Sequence, residues 1–309
     1  MITQTINVEE GTKYPLKGIL TLPDNAQQAP AVVFVHGSGS SNMDEKVGKL
    51  TPFKDLAEGL AKYGIASLRY DKRSFAHGLK MMREKEPITV RQETIEDAIL
   101  AAKLLRSHPA IDPRQIYIIG HSMGGMLAPR IDAEGGDFAG LILLAGSPRN
   151  LDEILLEQTR EMMEKSGTFT RFILGKQLKT LEETFAPLDT MTDEEAKQKK
   201  MGGGTTLYYF KEMNDHPVPR YLENMKKPIL VMQGEKDFQV KADKDFARYR
   251  ELLAGKPNAS FKLYESLNHC FVPSVYNDIT KAKQEYNVEQ HIGENIIVDI
   301  ADWIHAASK

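Results

Sequence analysis

Gly120-His121-Ser122-Met123-Gly124 joins two stretches of opposite habit. Before it runs Gln115-Ile116-Tyr117-Ile118-Ile119, a short apolar segment of the kind that forms a buried strand. After it comes Gly125-Met126-Leu127-Ala128, which opens a helical pattern reaching about residue 132. A glycine on each side of the serine lets the chain close a turn too tight for larger side chains. The stretch is therefore either a plain strand-to-helix turn or a device that holds Ser122 in a particular place.

The surrounding chain repeats the same alternation. Residues 2–8 and 16–22 flank Glu9-Glu10-Gly11-Thr12-Lys13 and read as an antiparallel pair. Ala31-Val32-Val33-Phe34-Val35 is a continuous apolar run suited to a parallel sheet covered on both faces. A helix is expected at 51–63, with Phe53, Leu56, Ala57, Leu60 and Ala61 on one face. A strand at 65–70, a helix at 89–106, the strand before Ser122 and a strand at 141–144 follow. After residue 225 the pattern resumes with Pro228-Ile229-Leu230-Val231-Met232, a helix near 240–253, a strand at 260–264 and a helix near 290–306. This predicts an α/β fold, a mostly parallel sheet with helices on both faces.

Residues 150–225 interrupt the alternation. They are helical in composition and carry the charge run Asp193-Glu194-Glu195-Ala196-Lys197-Gln198-Lys199-Lys200, then Gly202-Gly203-Gly204, and methionines at 162, 163, 191, 201, 213 and 225. The charge run reads as a solvated helix face. The expected organisation is a core of 1–149 and 226–309 with a mostly helical cap, 150–225, inserted into it. Two readings of the cap compete: an insertion or dimer surface whose methionines pack internally, and the favoured one, a lid whose apolar side chains, from Leu155, Met162, Met163, Phe169, Phe172, Leu207, Tyr208 and Phe210, line an acyl pocket over Ser122.

Bulk properties remove whole classes of function. The 309 residues are 41% hydrophobic and 27% charged, ordinary for a globular protein. A net charge of −3 offers no electrostatic case for nucleic acid or an anionic membrane. One cysteine, Cys270, excludes an internal disulfide framework and suits a reducing compartment. The N-terminal residues lack the basic and apolar regions of a signal peptide, and no run of about 18 apolar residues occurs. A cytoplasmic protein without a membrane span is expected.

A serine hydroxyl becomes a nucleophile only beside a base, and the base needs a carboxylate to orient it. Asp237 lies in Gly234-Glu235-Lys236-Asp237, just past the strand 228–232, and His269 in Leu267-Asn268-His269, just past the strand 260–264. Asp215 and Asp243 are alternative acids, but neither sits directly behind a strand. His36-Gly37-Ser38-Gly39 follows the strand 31–35, and a glycine-rich turn there can aim the Ser38 N–H at the same oxyanion as the Met123 N–H. His36 and His121 are expected to support these turns rather than react. Cys270 sits in no such turn and is expected to be packed. The eight histidines show no metal-binding spacing.

With HGSG, LRYDKR, GHSMGG, GEKD and LNHCF in this order, the chain resembles α/β-hydrolases of the carboxylesterase and dienelactone-hydrolase-like group over essentially its whole length. The resemblance implies Ser122 as nucleophile, His269 as base, Asp237 as its orienter, Ser38 and Met123 as oxyanion donors, and neither metal nor organic cofactor. It implies a serine esterase acting on small to medium carboxylic esters through an acyl-enzyme. A thioesterase or an amidase or peptidase would use the same residues, and non-catalytic relatives share the fold. The partner expected is a small-molecule ester; a homodimer is left open. Relatives often continue the fourth-strand loop as Arg-Gly-x-Gly-x-Ser, whereas this chain reads Arg73-Ser74-Phe75-Ala76-His77-Gly78.

Overall fold

Alternate residues of each central strand feed two different cores. Val33, Val35, Ile116, Ile118, Leu141, Leu143, Ile229 and Val231 belong to one buried cluster, while Val32, Phe34, Tyr117, Ile119, Ile142, Leu144, Leu230 and Met232 belong to another. A strand covered on both faces has no polar side to show, which is why these segments read as unbroken apolar runs. The computed structural model describes residues 1–84, 87–201 and 205–308; the Gly202-Gly203-Gly204 stretch lies outside them.

Eight strands form one sheet: β1 (Ile2–Val8), β2 (Leu16–Leu22), β3 (Ala29–Val35), β4 (Ala66–Tyr70), β5 (Ile111–His121), β6 (Gly140–Leu144), β7 (Ile229–Gly234) and β8 (Ala259–Tyr264). Their order is β1-β2-β4-β3-β5-β6-β7-β8. The β1–β2 and β2–β4 pairs are antiparallel and the rest parallel. The expected antiparallel entry is present, with Ile2 paired to Leu22 and Val8 to Leu16. Strand β5 begins at Ile111, earlier than its apolar run, because Ala29 extends the pairing to Ile111 across a register shift.

Helices α1 (Pro52–Lys62) and, at the far end of the chain, Glu294–Ala307 cover one face, through Phe53, Leu56 and Leu60 and through Ile296, Ile300 and Ile304. The opposite face carries α3 (Glu96–Arg106) and α4 (Met123–Ile131) among others, and α2 (Arg73–Met81) packs beside the turn at Arg91–Ile95. The segment expected as one helix over 89–106 is wound differently at its start: Arg91–Ile95 forms a wider π turn before α3. Helix α2 was not expected. It is short and broken at His77, where φ is −134°, and Phe75 and Leu79 on it are exposed.

Between β6 and β7 the described residues form five α-helices: α5 (Leu151–Lys165), α6 (Thr168–Phe185), α7 (Asp193–Gln198), α8 (Tyr208–Asn214) and α9 (Val218–Glu223). They do not build a separate core. Ile154, Phe185, Leu207, Phe210, Val218 and Leu222 join the same cluster as Val33 and Val231 of the sheet. The charge run opens α7 at a capping box, Thr192 accepting from the Glu195 N–H and returning its own N–H to the Glu195 carboxylate.

Candidate active site

The turn after β5 stores backbone strain at one residue. Ser122 has φ 54° and ψ −118°, a combination that side chains disfavour and that costs on the order of 1–3 kcal/mol. A Cβ at Gly120 would run into the Gly124 carbonyl, and one at Gly124 into the Val35 carbonyl, so neither glycine is replaceable without moving the turn. The Ser122 N–H donates to the Leu144 carbonyl at 2.8 Å, and the Ser122 carbonyl accepts the first helical bond, from Met126, at 3.0 Å. Met123 is the first residue of α4, so its N–H lies at the positive end of that helix.

The other two sequence-predicted residues meet each other. His269 Nδ1 lies 2.7 Å from Asp237 Oδ2, with both side chains buried. Asp237 is fully engaged: Oδ2 also accepts from Gln233 Nε2 at 2.8 Å, and Oδ1 accepts from the N–H groups of Gln239 and Val240 at 2.8 and 3.0 Å. With the carboxylate on Nδ1, that nitrogen carries the proton and Nε2 keeps its lone pair. Ser122 and His269 line one cavity of about 180 Å³, together with Gly37, Ser38, Glu45, His121 and Tyr286.

Ser122 also lines a second cavity, of about 50 Å³, with Ser38, Met123, Leu151, Ile154, Leu155 and Gln239. This cavity shares Ser38, Leu151 and Leu155 with a third, of about 490 Å³, walled by Met81, Met82, Ile88, Tyr209 and Phe210, with Glu93 also lining it. Leu155 lines both of these cavities and Phe210 the larger one, which Ser122 does not line. Phe169 and Phe172 line neither: they are 78% and 63% exposed on α6, and Lys176 sits over the Phe172 ring. Leu207 is buried in the core.

Two residues of the site, Glu45 and Lys72, carry no sequence signal for their roles. Glu45 is buried; its Oε1 accepts from the Gly37 N–H at 2.8 Å and its Oε2 lies 3.0 Å from His121 Nδ1. Burial disfavours its charge, but His121 and the Gly37 N–H outweigh that and hold its pKa below the usual value. His121 shifts upward, because Glu45 outweighs the burial opposing protonation. Lys72 donates to the carbonyls of Gly37 and Gly39 at 2.9 and 3.0 Å. The nearby clue for Glu45 and Lys72 was their position, in loops that follow strands β3 and β4. His36 packs on Phe53 and Tyr70 and bonds the Asn42 carbonyl at 3.0 Å; burial takes its pKa down to about 4. Burial pushes the Cys270 thiol well up, away from a thiolate.

Among the described residues no group of three or more His, Cys, Asp or Glu is gathered as a metal site requires, and no helix is long and apolar enough to cross a membrane.

Residues 32–277 match the model of the alpha/beta hydrolase family. Esterase EstD of Thermotoga maritima is 31% identical over 289 residues, covering 94% of this chain and 65% of the relative, so the chain spans just under two thirds of that protein's length. An esterase of Pyrococcus furiosus superposes with a TM-score of 0.60 at 15% identity, over 100% of this chain and 92% of the other. Dienelactone hydrolase of Anabaena variabilis superposes with a TM-score of 0.56 at 16% identity, over 99% and 97%.

Proposed function

We propose that this chain, which belongs to the alpha/beta hydrolase family, is a serine hydrolase of carboxylic esters that works through an acyl-enzyme. The observation that carries the reading is the 2.7 Å bond between His269 Nδ1 and Asp237 Oδ2, with the histidine in a cavity that Ser122 also lines. The likeness to Esterase EstD supports ester chemistry over its neighbours. Ser122 Oγ attacks the ester carbonyl while His269 Nε2 takes its proton, and the oxyanion rests on the N–H groups of Ser38 and Met123. His269 then protonates the departing alcohol. Water, deprotonated by the same nitrogen, attacks the acyl-serine and releases the acid.

The cavities support one direction for the substrate. The leaving oxygen must reach His269, and that residue lines the 180 Å³ cavity but neither of the other two. The alcohol therefore occupies the polar cavity beside Tyr286 and Gln239. The acyl group runs through the small cavity at Leu151 and Leu155 into the larger apolar one, beneath helices α5 and α8. The insertion 150–225 is in this reading a cap that supplies acyl-pocket walls.

Fluorophosphonate labelling followed by intact mass tests the core of this. One adduct is expected on the wild type and none on Ser122→Ala, whose turnover of p-nitrophenyl esters should fall by on the order of 10⁴-fold with the fold retained. Labelling of Ser122→Ala, or its continued turnover, sinks the assignment.

A further inference from the structure

The two N–H groups assigned to the oxyanion differ in what stands behind them. Met123 has the dipole of α4. Ser38 has no helix; behind it stands Lys72. This side chain is 2% exposed, and its ammonium faces three acceptors: the Gly37 carbonyl at 2.9 Å, the Gly39 carbonyl at 3.0 Å and Glu93 Oε1 at 3.6 Å. Three acceptors match three ammonium protons, so the nitrogen acts as a donor in every direction. Burial pushes the Lys72 pKa down, and Glu93, Glu45 and Asp97 push back. Glu93 in turn accepts from the Tyr209 hydroxyl at 2.8 Å.

The Gly37 carbonyl and the Ser38 N–H belong to one peptide unit. In a trans peptide they point in opposite directions. With the carbonyl turned to Lys72, the N–H faces away from it, and Ser38 lines all three cavities around Ser122 whereas Lys72 lines none of them. The preceding N–H, of Gly37, is held by Glu45, which fixes the peptide from its other side.

We propose that Lys72 is a positioning residue that polarises the Gly37–Ser38 peptide and so carries its charge to the oxyanion across a single peptide unit. The inference rests on the acyl-enzyme reading above. A charged donor on a carbonyl draws electron density from the amide and strengthens its N–H as a donor, and bonds in such a chain reinforce one another in a dry environment. The gain grows as negative charge develops on the substrate oxygen. It therefore favours the transition state over the ground state and acts on kcat rather than KM. Burying an ammonium whose nearest carboxylate is no closer than 3.6 Å is costly, and packing alone would be better served by an apolar side chain.

The test compares wild type, Lys72→Met, which removes charge and donor, and Lys72→Gln, which keeps a donor for the Gly37 carbonyl without charge. Each is assayed for kcat and KM on a p-nitrophenyl ester, and for affinity to two ketones of one chain length. A trifluoromethyl ketone forms a tetrahedral oxyanion adduct on serine, whereas the plain methyl ketone binds as a planar ground-state analogue. The expected result is a ten- to hundredfold loss of kcat in Lys72→Met, a smaller loss in Lys72→Gln and KM within about twofold. Trifluoromethyl-ketone affinity should fall in step with kcat while methyl-ketone affinity stays unchanged. If Lys72→Met does not fold, Lys72→Gln is read in its place. Unchanged kcat in a folded variant overturns the proposal, and so does an equal loss of affinity for both ketones, which marks a merely structural lysine. A wild type that neither turns over esters nor takes a fluorophosphonate shows instead that the acyl-enzyme reading itself has failed.

Discussion

His121 Nε2 lies 2.8 Å from the main-chain carbonyl oxygen of His269, so the residue before Ser122 grips the residue proposed as its base. The other ring nitrogen faces Glu45 Oε2 at 3.0 Å, and Glu45 also holds the Gly37 N–H. One buried carboxylate thereby ties together the loops after β3, β5 and β8. Glu45→Gln keeps an acceptor for Gly37 but removes the charge that sustains a protonated His121. We expect kcat to fall about tenfold with KM little changed, since the parts held are those that act on the transition state. Because the His121 pKa is raised in the folded state, its contribution to stability is complete below about pH 6.5 and is lost as pH rises through the raised value. Thermal melts of the wild type should show that loss, and those of Glu45→Gln should not. Equal kcat in the two proteins would remove the clamp from the mechanism.

In the proposed mechanism Asp237 orients rather than reacts, and its four hydrogen bonds fix it in place before any substrate arrives. Asp237→Asn should leave a folded protein, since Gln239 and Val240 can still donate to the amide oxygen, but His269 would lose the acceptor that sets its tautomer. The expected drop in ester turnover is roughly 10³–10⁴-fold. A drop below about tenfold, with intact folding by circular dichroism, would assign the orienting role to another carboxylate.

His36 gives the fold an acid-side weakness that lies away from the His121 window. Burial takes its pKa to about 4, while an unfolded histidine titrates near 6.5. Between those values the unfolded chain binds the extra proton, so stability falls as pH falls, by roughly 3 kcal/mol in total. His36→Asn removes that proton while leaving a donor for the Asn42 carbonyl. The gap in unfolding free energy between the two proteins should narrow steadily from pH 6.5 to pH 4.5. A constant gap would show that His36 is not buried as a neutral ring.

The order of Ser122, Asp237 and His269 was legible because each follows a parallel strand, and parallel strands deliver their following loops to one edge of the sheet. The strands themselves were legible because two covered faces leave no polar alternation. Helix α2 was not: nine residues containing Gly78 and a break at His77 have too little period to distinguish them from a loop. Glu45 and Lys72 were hidden for a different reason. A charged residue is normally a solvated one, and the groups that hold these two, main chain of the Gly37–Gly39 turn with His121 and Glu93, come from distant segments and leave no trace in local side-chain pattern. Phe169 and Phe172 misled because an aromatic on a helix does not declare which neighbour its face will meet. In α6 they face outward, and the pocket is walled instead by α5 and α8.

That difference between faces makes the proposed acyl pocket testable by contrast. Leu155 and Phe210 line the 490 Å³ cavity, whereas Phe172 is exposed on the outer helix. Each methylene buried from an acyl chain contributes roughly 0.8 kcal/mol, about fourfold in kcat/KM, so rates on a series of p-nitrophenyl esters should climb stepwise with acyl length until the cavity is full. Leu155→Ala and Phe210→Ala enlarge the cavity and should move the optimum to longer chains, with fluorophosphonate labelling of Ser122 by a small probe nearly unchanged. Phe172→Ala should leave the whole profile as it was. Varying the alcohol instead should give a flatter profile, because that side opens into the smaller, polar cavity with His269. A profile that responds to Phe172→Ala but not to Phe210→Ala would place the acyl group elsewhere, and a steep dependence on alcohol length with none on acyl length would reverse the direction assigned to the substrate.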